Sequence, residues 1–340
     1  MKRPNVKRTF NRVSSVLLGT LISTSLLAGE ITVYSALEED EINAYLAAAA
    51  KEMPDLKVNL LRLSTGDLGA RLIAESANPQ ADVLWGFAVT NILNPQINQL
   101  LEPYTADGVD QLPDAFRDEE NLWFAATGYM GAFCVNTARL EARGLPMPTS
   151  WQDLTNPVYQ GEIVMPDPSS SGTGYLQIAA ILQGMGDEAG WQLIKDLDPN
   201  MAQYTTSGSR PCRMAQVGEY AIGASLSFVA MQAIEQGYPV EMVIPADWAG
   251  FELEASGLLK GSNNADDAKR FLDWTLSPSA AEAYSEYKAI ITLPDVPRSP
   301  LAEKAGLPED LTEVLFPMDF AKSGSERDAI LSTWKTTVGR

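Results

Sequence analysis

The chain has 340 residues, 45% of them hydrophobic and 20% charged, which is typical of a soluble globular protein and enough for two domains. Lys and Arg total 25 against 44 Asp and Glu, so the formal net charge is −19 and binding to nucleic acid or anionic lipid is disfavoured. The sequence contains no histidine, which excludes Ser-His-Asp and Cys-His catalytic sites and removes the commonest transition-metal ligand.

Residues 1–29 predict a signal peptide. Five basic residues precede an apolar run over residues 13–29, and the polar sequence EITVYS follows. Cleavage is expected near residues 28–29 and would leave a periplasmic protein with a net charge of about −24. An uncleaved membrane anchor is the alternative, because the apolar run is about as long as the shortest bilayer-spanning helix.

After this segment, short β-type runs alternate with helical runs. Strands are predicted at 31–34, 57–63 and 81–86, and helices at 38–54 and 64–76. The second half continues with strands at 161–168, 218–227 and 239–245, an apolar run at 253–261, and helices at 174–186, 187–198 and 325–339, with two more broken at Pro278. This order predicts an α/β fold with mixed, mostly parallel sheets and helices on both faces.

Hydroxyl groups, glycines and a few aromatic residues recur where strands lead into helices. In α/β sheets, ligands bind beyond the carboxyl ends of strands and at helix N-termini, so these positions are candidate ligand contacts. Ordinary helix caps explain any one of them, but SSSGTG (169–174) has more hydroxyls than one cap needs. The candidates are Ser35, Ser64, Thr65, Trp85, Ser171, Gly172, Thr173, Ser207, Ser227 and Phe228, with Tyr129 as a further aromatic.

Two acidic residues and two cysteines complete the candidate residues. Glu252 and Glu254 open a strand and are either solvated acids or partners for an ammonium group, with Glu254 the first choice. An even cysteine count in an exported protein predicts a disulfide between Cys134 and Cys212, and their wide separation in sequence argues against a catalytic pair.

The segments ADVLWG, PTSWQDLTNPVYQGEIVMPDPSSSGTGY and YTTSGSRPCRMAQVGEYAIGASLSF resemble periplasmic substrate-binding proteins of ABC transporters, in the branch that includes ferric-iron-binding proteins. Within that branch, the combination of ADVLWG, SSSGTG, SGSRPC and both cysteines resembles 2-aminoethylphosphonate-binding proteins. The resemblance implies a two-lobed type II fold, with lobe 1 formed by 30–130 plus 256–340 and lobe 2 by 131–255. It also implies a monomer that delivers its ligand to an inner-membrane permease.

The resemblance also assigns roles at the interlobe cleft. The ligand would be a small zwitterionic phosphonate whose ammonium group is received by Trp85, Tyr129 and Glu254. Iron is disfavoured, because 228–230 (FVA) stands where ferric relatives have adjacent tyrosines. The phosphonate would be held by Ser64, Thr65, Ser171, Gly172, Thr173 and Ser207.

The sequence leaves several functions open. A hydrolase that uses carboxylates is disfavoured by the absence of histidine and of any metal-ligand cluster, so no catalytic residue, metal or cofactor is expected. An exported sensor fits the sequence as well as a transport protein does. Among binding proteins, a sugar phosphate, a polyamine or a ferric complex could replace the phosphonate as ligand.

Overall fold

The computed structural model describes residues 1–2 and 29–338. Residues 3–28 lie outside this range, so the signal peptide remains a prediction. Among the described residues, no helix has both the length and the apolar composition needed to cross a membrane.

The described part of the chain contains eleven strands. They are β1 (Gly29–Ser35), β2 (Leu56–Arg62), β3 (Val83–Ala88), β4 (Leu101–Glu102), β5 (Phe124–Asn136), β6 (Ile163–Pro166), β7 (Met201–Thr205), β8 (Ile222–Leu226), β9 (Val240–Val243), β10 (Phe251–Leu259) and β11 (Ile290–Ile291). The predicted strands are confirmed with changes at their ends, and the apolar run at 253–261 is largely a strand. The strands at 101–102, 124–136, 201–205 and 290–291 are not among those predicted from the sequence.

Thirteen α-helices accompany the strands within residues 29–338. They are α1 (Glu39–Glu52), α2 (Thr65–Ala74), α3 (Val89–Ile92), α4 (Pro95–Asn98), α5 (Thr137–Arg143), α6 (Gly172–Met185), α7 (Asp187–Leu197), α8 (Arg210–Gln216), α9 (Ser227–Glu235), α10 (Ala265–Trp274), α11 (Pro278–Ser285), α12 (Pro300–Lys304) and α13 (Phe320–Val338).

The sheet is mixed, as predicted, and runs β2-β1-β3-β10-β5-β8-β6-β7, with β4, β9 and β11 on side branches. Parallel pairing is confined to the outer strands of each half, where β1 pairs with β2 and β3, and β6 pairs with β7 and β8. The central strands β5 and β10 pair antiparallel with each other and with their other neighbours. The expectation of a mostly parallel sheet therefore holds only for the outer strands.

Strand β5 belongs to both halves of the molecule. Its first part pairs with β10 and β11, and its second part pairs with β8 and β9. Since one strand continues through both halves, it joins their strands into one sheet. The fold is the predicted two-lobed α/β fold.

Each half has its own hydrophobic core. One core packs α1, α10 and α11 against β1 and β3, and the other packs α6 and α7 against β6 and β8. The lobe boundaries remain a prediction, and α13 is an exception to the expected division. Although residues 256–340 are expected in lobe 1, Ile330 and Trp334 of α13 are buried in the core of the second half.

A disulfide joins Cys134 in β5 to Cys212 in α8, which confirms the predicted pairing. Both residues are completely buried beside Ala215 and Met130. The bond closes a loop across 78 residues of sequence and fastens α8 to the central strand.

We expect the Cys134→Ala/Cys212→Ala double variant to lose about 2–5 kcal/mol of unfolding free energy, because a cross-link over a loop of this length restricts the unfolded chain. Urea unfolding of the variant and of the oxidised wild type measures the loss. Reduction of the wild type with dithiothreitol should produce a similar change. Equal midpoints for oxidised protein and variant would contradict the prediction.

Candidate functional site

Two helix N-termini from opposite halves of the molecule face each other. Helix α2 begins after Ser64 and α6 begins after Ser171. The backbone N–H of Gly66 donates a hydrogen bond to the carbonyl of Ser170 at 2.8 Å, so the two loops are in direct contact. A Cβ atom at Gly66 would collide with the backbone of Ser169, so only glycine permits this approach.

A cavity that is partly open to solvent lies beside this contact. It also reaches strand β5 and strand β10. Among the residues proposed from the sequence, those that line it are Ser64, Thr65, Tyr129, Ser171, Gly172, Thr173 and Glu254. Their role in binding a ligand remains a prediction, but the structure brings them to one place.

The hydroxyl groups in this cavity differ in the hydrogen bonds that they already make within the protein. The Ser64 side chain makes no capping hydrogen bond, so its hydroxyl is not needed by helix α2. The Ser171 oxygen accepts the N–H of Gly174 at 3.3 Å and therefore caps α6, while its own proton can still be donated. Thr173 hydrogen-bonds the phenol of Tyr129, whose pKa burial raises well above the usual range. Together with the unpaired N–H groups of the two helices, these hydroxyls form a set of donors around a small space.

Ser35 and Ser207 do not line the cavity. Ser35 is fully buried, and its hydroxyl accepts the N–H of Leu37 at 3.2 Å. Ser207 hydrogen-bonds the hydroxyl of Ser209 at 2.9 Å, and its neighbour Gly208 takes the place in the lining that is expected of Ser207. Both hydroxyls are used for local structure.

Ser227 and Phe228 also lie outside the lining, at the start of α9. Both are buried, and the Phe228 ring packs against Tyr287, with ring centroids 5.9 Å apart. The preceding residue, Leu226, reaches the cavity instead. The register expected at this strand end is therefore displaced by one or two residues.

The expectation that Trp85 forms a wall of the cleft is wrong. Its indole is 2% exposed and packs edge-to-face on Phe271 and Tyr45 in the core of the first half. Side chains alternate between the two faces of a strand, and it is Gly86 and Ala88 that face the cavity. Trp85 therefore points away from it.

Three charged residues that the sequence does not mark as ligand contacts meet at the edge of the cavity. Glu38 and Arg62 line it, and they form a salt bridge of 2.7 Å. Arg213 of α8 reaches the other oxygen of Glu38 at 3.5 Å from the opposite half. In the sequence, Glu38 belongs to an acidic stretch that predicts only the first turn of a helix. Its position three residues before Glu41 is the signal of a capping box, which the structure shows.

A buried triad, Glu41–Lys288–Glu254, lies at another side of the cavity and is called here the Lys288 triad. The Lys288 ammonium is 2.7 Å from a carboxylate oxygen of each glutamate, and its side chain is 1% exposed. Desolvation acts to lower the pKa of Lys288, but the two carboxylates outweigh it and raise the pKa. Desolvation raises the pKa of Glu254 in spite of the opposing effect of Lys288. Glu254 also accepts the hydroxyl of Thr127 at 2.6 Å.

Glu252 is buried on the same strand, apart from the cavity lining. Its carboxylate accepts the hydroxyl of Thr90 at 2.5 Å and the N–H of Leu253 at 3.0 Å. Desolvation outweighs these hydrogen bonds and raises the pKa of Glu252 to about 7. Of the two acids proposed from the sequence, Glu252 is thus the structural one and Glu254 the one at the cavity.

A polar cleft between two α/β halves that share a central strand is the architecture of proteins that capture a solute between their lobes. The profile of the family described as "Bacterial extracellular solute-binding protein" matches residues 78–311. The chain therefore belongs to this family, and the predicted resemblance is confirmed at this level.

Individual relatives match over nearly the whole chain. An uncharacterized protein of Haemophilus influenzae is 34% identical over 97% of this chain and 98% of its own length. The periplasmic binding protein AfuA from Actinobacillus pleuropneumoniae, solved with exogenous fructose-6-phosphate bound, is 33% identical, covers 92% of this chain and 99% of that one, and has a TM-score of 0.84. The periplasmic binding protein P5PA is 28% identical over 91% of this chain and 99% of its own, with a TM-score of 0.82.

We expect Gly66→Ala to weaken solute binding at least tenfold, because the added methyl group prevents α2 from meeting the backbone of 169–170 and so moves the two sides of the cavity apart. Calorimetric titration with 2-aminoethylphosphonate and fructose 6-phosphate measures the effect. Gly69→Ala is the matched control, since a Cβ there meets mainly the movable end of Asn91 at 3.2 Å. Wild-type affinity in Gly66→Ala would contradict the prediction.

We expect Glu252 to make stability fall as the pH rises from about 4.5 to 7. Its pKa is raised on folding, so the folded state binds more protons in this window, and the cost of ionising the buried acid is complete above pH 7. Relative to wild type, Glu252→Gln should gain up to about 3 kcal/mol of unfolding free energy between pH 4.5 and 8. Urea unfolding across this range measures it, with Glu235→Gln as an exposed control. Parallel profiles for Glu252→Gln and wild type would disprove the assignment.

Proposed function

We propose that this protein captures a small organic phosphate or phosphonate in the cavity between its halves and delivers it to an ABC permease. The observation that carries this proposal is the convergence of the α2 and α6 N-termini on one cavity from opposite halves. We call the two loops, 64–66 and 169–174, the oxyanion clamp.

The chemistry of the oxyanion clamp suits a tetrahedral oxyanion. Helix N-termini present unpaired N–H groups and a partial positive charge, and bound phosphate groups commonly lie there. The clamp adds the hydroxyls of Ser64, Thr65, Ser171 and Thr173 to these donors. A hydrogen bond to a charged acceptor contributes about 1.5–3 kcal/mol net, so a few such bonds support micromolar binding.

The cavity constrains the identity of the ligand's oxyanion more closely than the identity of the rest of the ligand. The sequence favours 2-aminoethylphosphonate, with Glu254 receiving the ammonium group. Since Glu254 is already paired with Lys288 and Thr127, a ligand with neutral hydroxyl groups gains support as well. A sugar phosphate has the additional support of the relative AfuA with its bound fructose-6-phosphate.

A polyamine and a ferric complex have less support as ligands. A polyamine offers only cationic donors, which do not match a set of N–H and hydroxyl donors. Ferric binding is not favoured, because 228–230 (FVA) stands where the resemblance leads us to expect adjacent tyrosines, and the described residues contain no cluster of three or more potential metal ligands. We assign no catalytic step, and the proposed working place of the protein is the periplasm, as a monomer.

A ligand panel tests the proposal. Purified protein is screened by thermal shift and then by calorimetry against 2-aminoethylphosphonate, fructose 6-phosphate, inorganic phosphate, spermidine and ferric citrate. At about 100 times its dissociation constant, a true ligand adds roughly 2.7 kcal/mol of stability. Binding of one or both organic phosphorus compounds in preference to spermidine and ferric citrate is expected, and the reverse preference would overturn the proposal.

We expect Ser64→Ala to weaken binding of the phosphorus ligand roughly tenfold with little loss of stability, because this hydroxyl makes no helix-capping bond. Ser277 provides the matched control: its side chain accepts the N–H of Ala280 at the start of α11. Ser277→Ala should lose about 1 kcal/mol of stability and bind the ligand normally. If Ser64→Ala behaves like Ser277→Ala, Ser64 is only a cap.

A further inference from the structure

We propose that the Lys288 triad selects the ligand by its far end: it accepts a hydrogen-bond donor, either a hydroxyl or an ammonium group, and rejects a carboxylate. This inference rests on the proposed function, since it concerns the part of the ligand that extends beyond the oxyanion clamp. It assigns a specificity role to Glu41 and Lys288 as well as to Glu254.

The triad is positioned to meet the end of a short ligand. Thr127, which binds Glu254, and Tyr129, which lines the cavity beside Gly172, lie two residues apart on the same face of β5. Two residues of a strand span about 7 Å, which is the scale of a two- or three-carbon chain with its end groups. Glu41 and Glu254 both line the cavity that contains the clamp.

Only acceptors of the triad are available to a ligand. The Lys288 side chain is 1% exposed, and its ammonium group forms ion pairs with both glutamates. The same ammonium lies 5.9 Å from the centre of the Phe228 ring, so it is enclosed by protein. A carboxylate offers about four acceptor positions, and Glu254 uses one on each oxygen, for Lys288 and for Thr127. A hydroxyl or ammonium group can therefore donate to Glu254, whereas nothing in the triad can donate to a ligand carboxylate.

Charge leads to the same selection. Two carboxylates surround one ammonium, so the triad retains one negative charge on side chains that are at most 6% exposed, although the cavity beside them is partly open to solvent. Repulsion between like charges at about 4 Å is several times stronger there than in bulk water. A ligand carboxylate at this position should cost at least a hundredfold in affinity.

Three phosphonates of similar length test this selection on the wild-type protein: 2-hydroxyethylphosphonate, 2-aminoethylphosphonate and phosphonoacetate. Glycerol 3-phosphate and 3-phosphoglycerate provide a second pair, in which a carboxylate replaces a hydroxymethyl group. In each series, calorimetry should show the carboxylate compound at least 100-fold weaker. The ratio between the amino and hydroxyl phosphonates shows whether the triad prefers a cationic or a neutral donor.

Glu254→Gln locates the selection in the triad. A glutamine can keep its oxygen toward Lys288 and its amide toward Thr127, and it removes the surplus negative charge. The ratio of affinities for 2-hydroxyethylphosphonate and phosphonoacetate should then fall at least tenfold, whereas the exposed control Glu235→Gln should keep the wild-type ratio. Thermal unfolding verifies that both variants are folded, and the wild-type ligand series does not depend on either variant.

The outcomes separate this inference from the proposed function. If the phosphonates bind and phosphonoacetate binds as well as 2-hydroxyethylphosphonate, the selection is disproved and the proposed function stands. If the folded Glu254→Gln variant keeps the full discrimination, the triad is not its source. If no phosphate or phosphonate binds, the proposed function itself fails.

Discussion

The meeting of two helix N-termini across the cleft is the constraint on which the rest of the molecule depends. Each N-terminus has a partial positive charge of about half an elementary charge, so the ends of α2 and α6 repel each other at short distance. The hydrogen bond from Gly66 to the carbonyl of Ser170 offsets part of this repulsion. An anion between the two ends would turn the remaining repulsion into attraction, so the proposed phosphorus ligand would hold the two halves together.

This local arrangement works against the charge of the whole protein. The chain has an excess of acids, yet the carboxylates that line the cleft have cationic partners. Glu38 pairs with Arg62 and Arg213, while Glu41 and Glu254 share Lys288. The Lys288 triad keeps one negative charge, but near the oxyanion clamp the backbone and hydroxyl dipoles act on an anion at short range, where they outweigh a distant and screened surface field.

Much of the fold could be predicted from the sequence, because hydrophobic periodicity and the residues that begin and end helices and strands are local signals. The βαβαβ start and the SSSGTG loop ahead of an apolar helix contain their information within a few residues. The face of the sheet on which a side chain lies at a strand end was harder to predict from the sequence. Gly86 has a φ of +66°, and a strand that bends at such a residue leaves the facing of Trp85 undecided in the sequence.

Partners that are distant in sequence were beyond prediction. Lys288 lies 34 residues from Glu254 and far further from Glu41, and a lone lysine near a helix end is normally solvent-exposed. Glu252 and Glu254 have the same chemistry and lie on the same strand, so only packing separates the buried acid near Thr90 from the one at the cavity.

Helix α13 connects the two halves of the molecule. Its Ser323 carbonyl accepts the hydroxyl of Tyr175 in α6, while Gly324 packs closely against Leu93 and Thr90 at the first half. Helix α13 is thus in contact with both halves of the molecule and links them in addition to β5. A helix attached on both sides restrains the rotation of one half against the other, so the width of the cleft depends on α13 as well as on the strands beneath it.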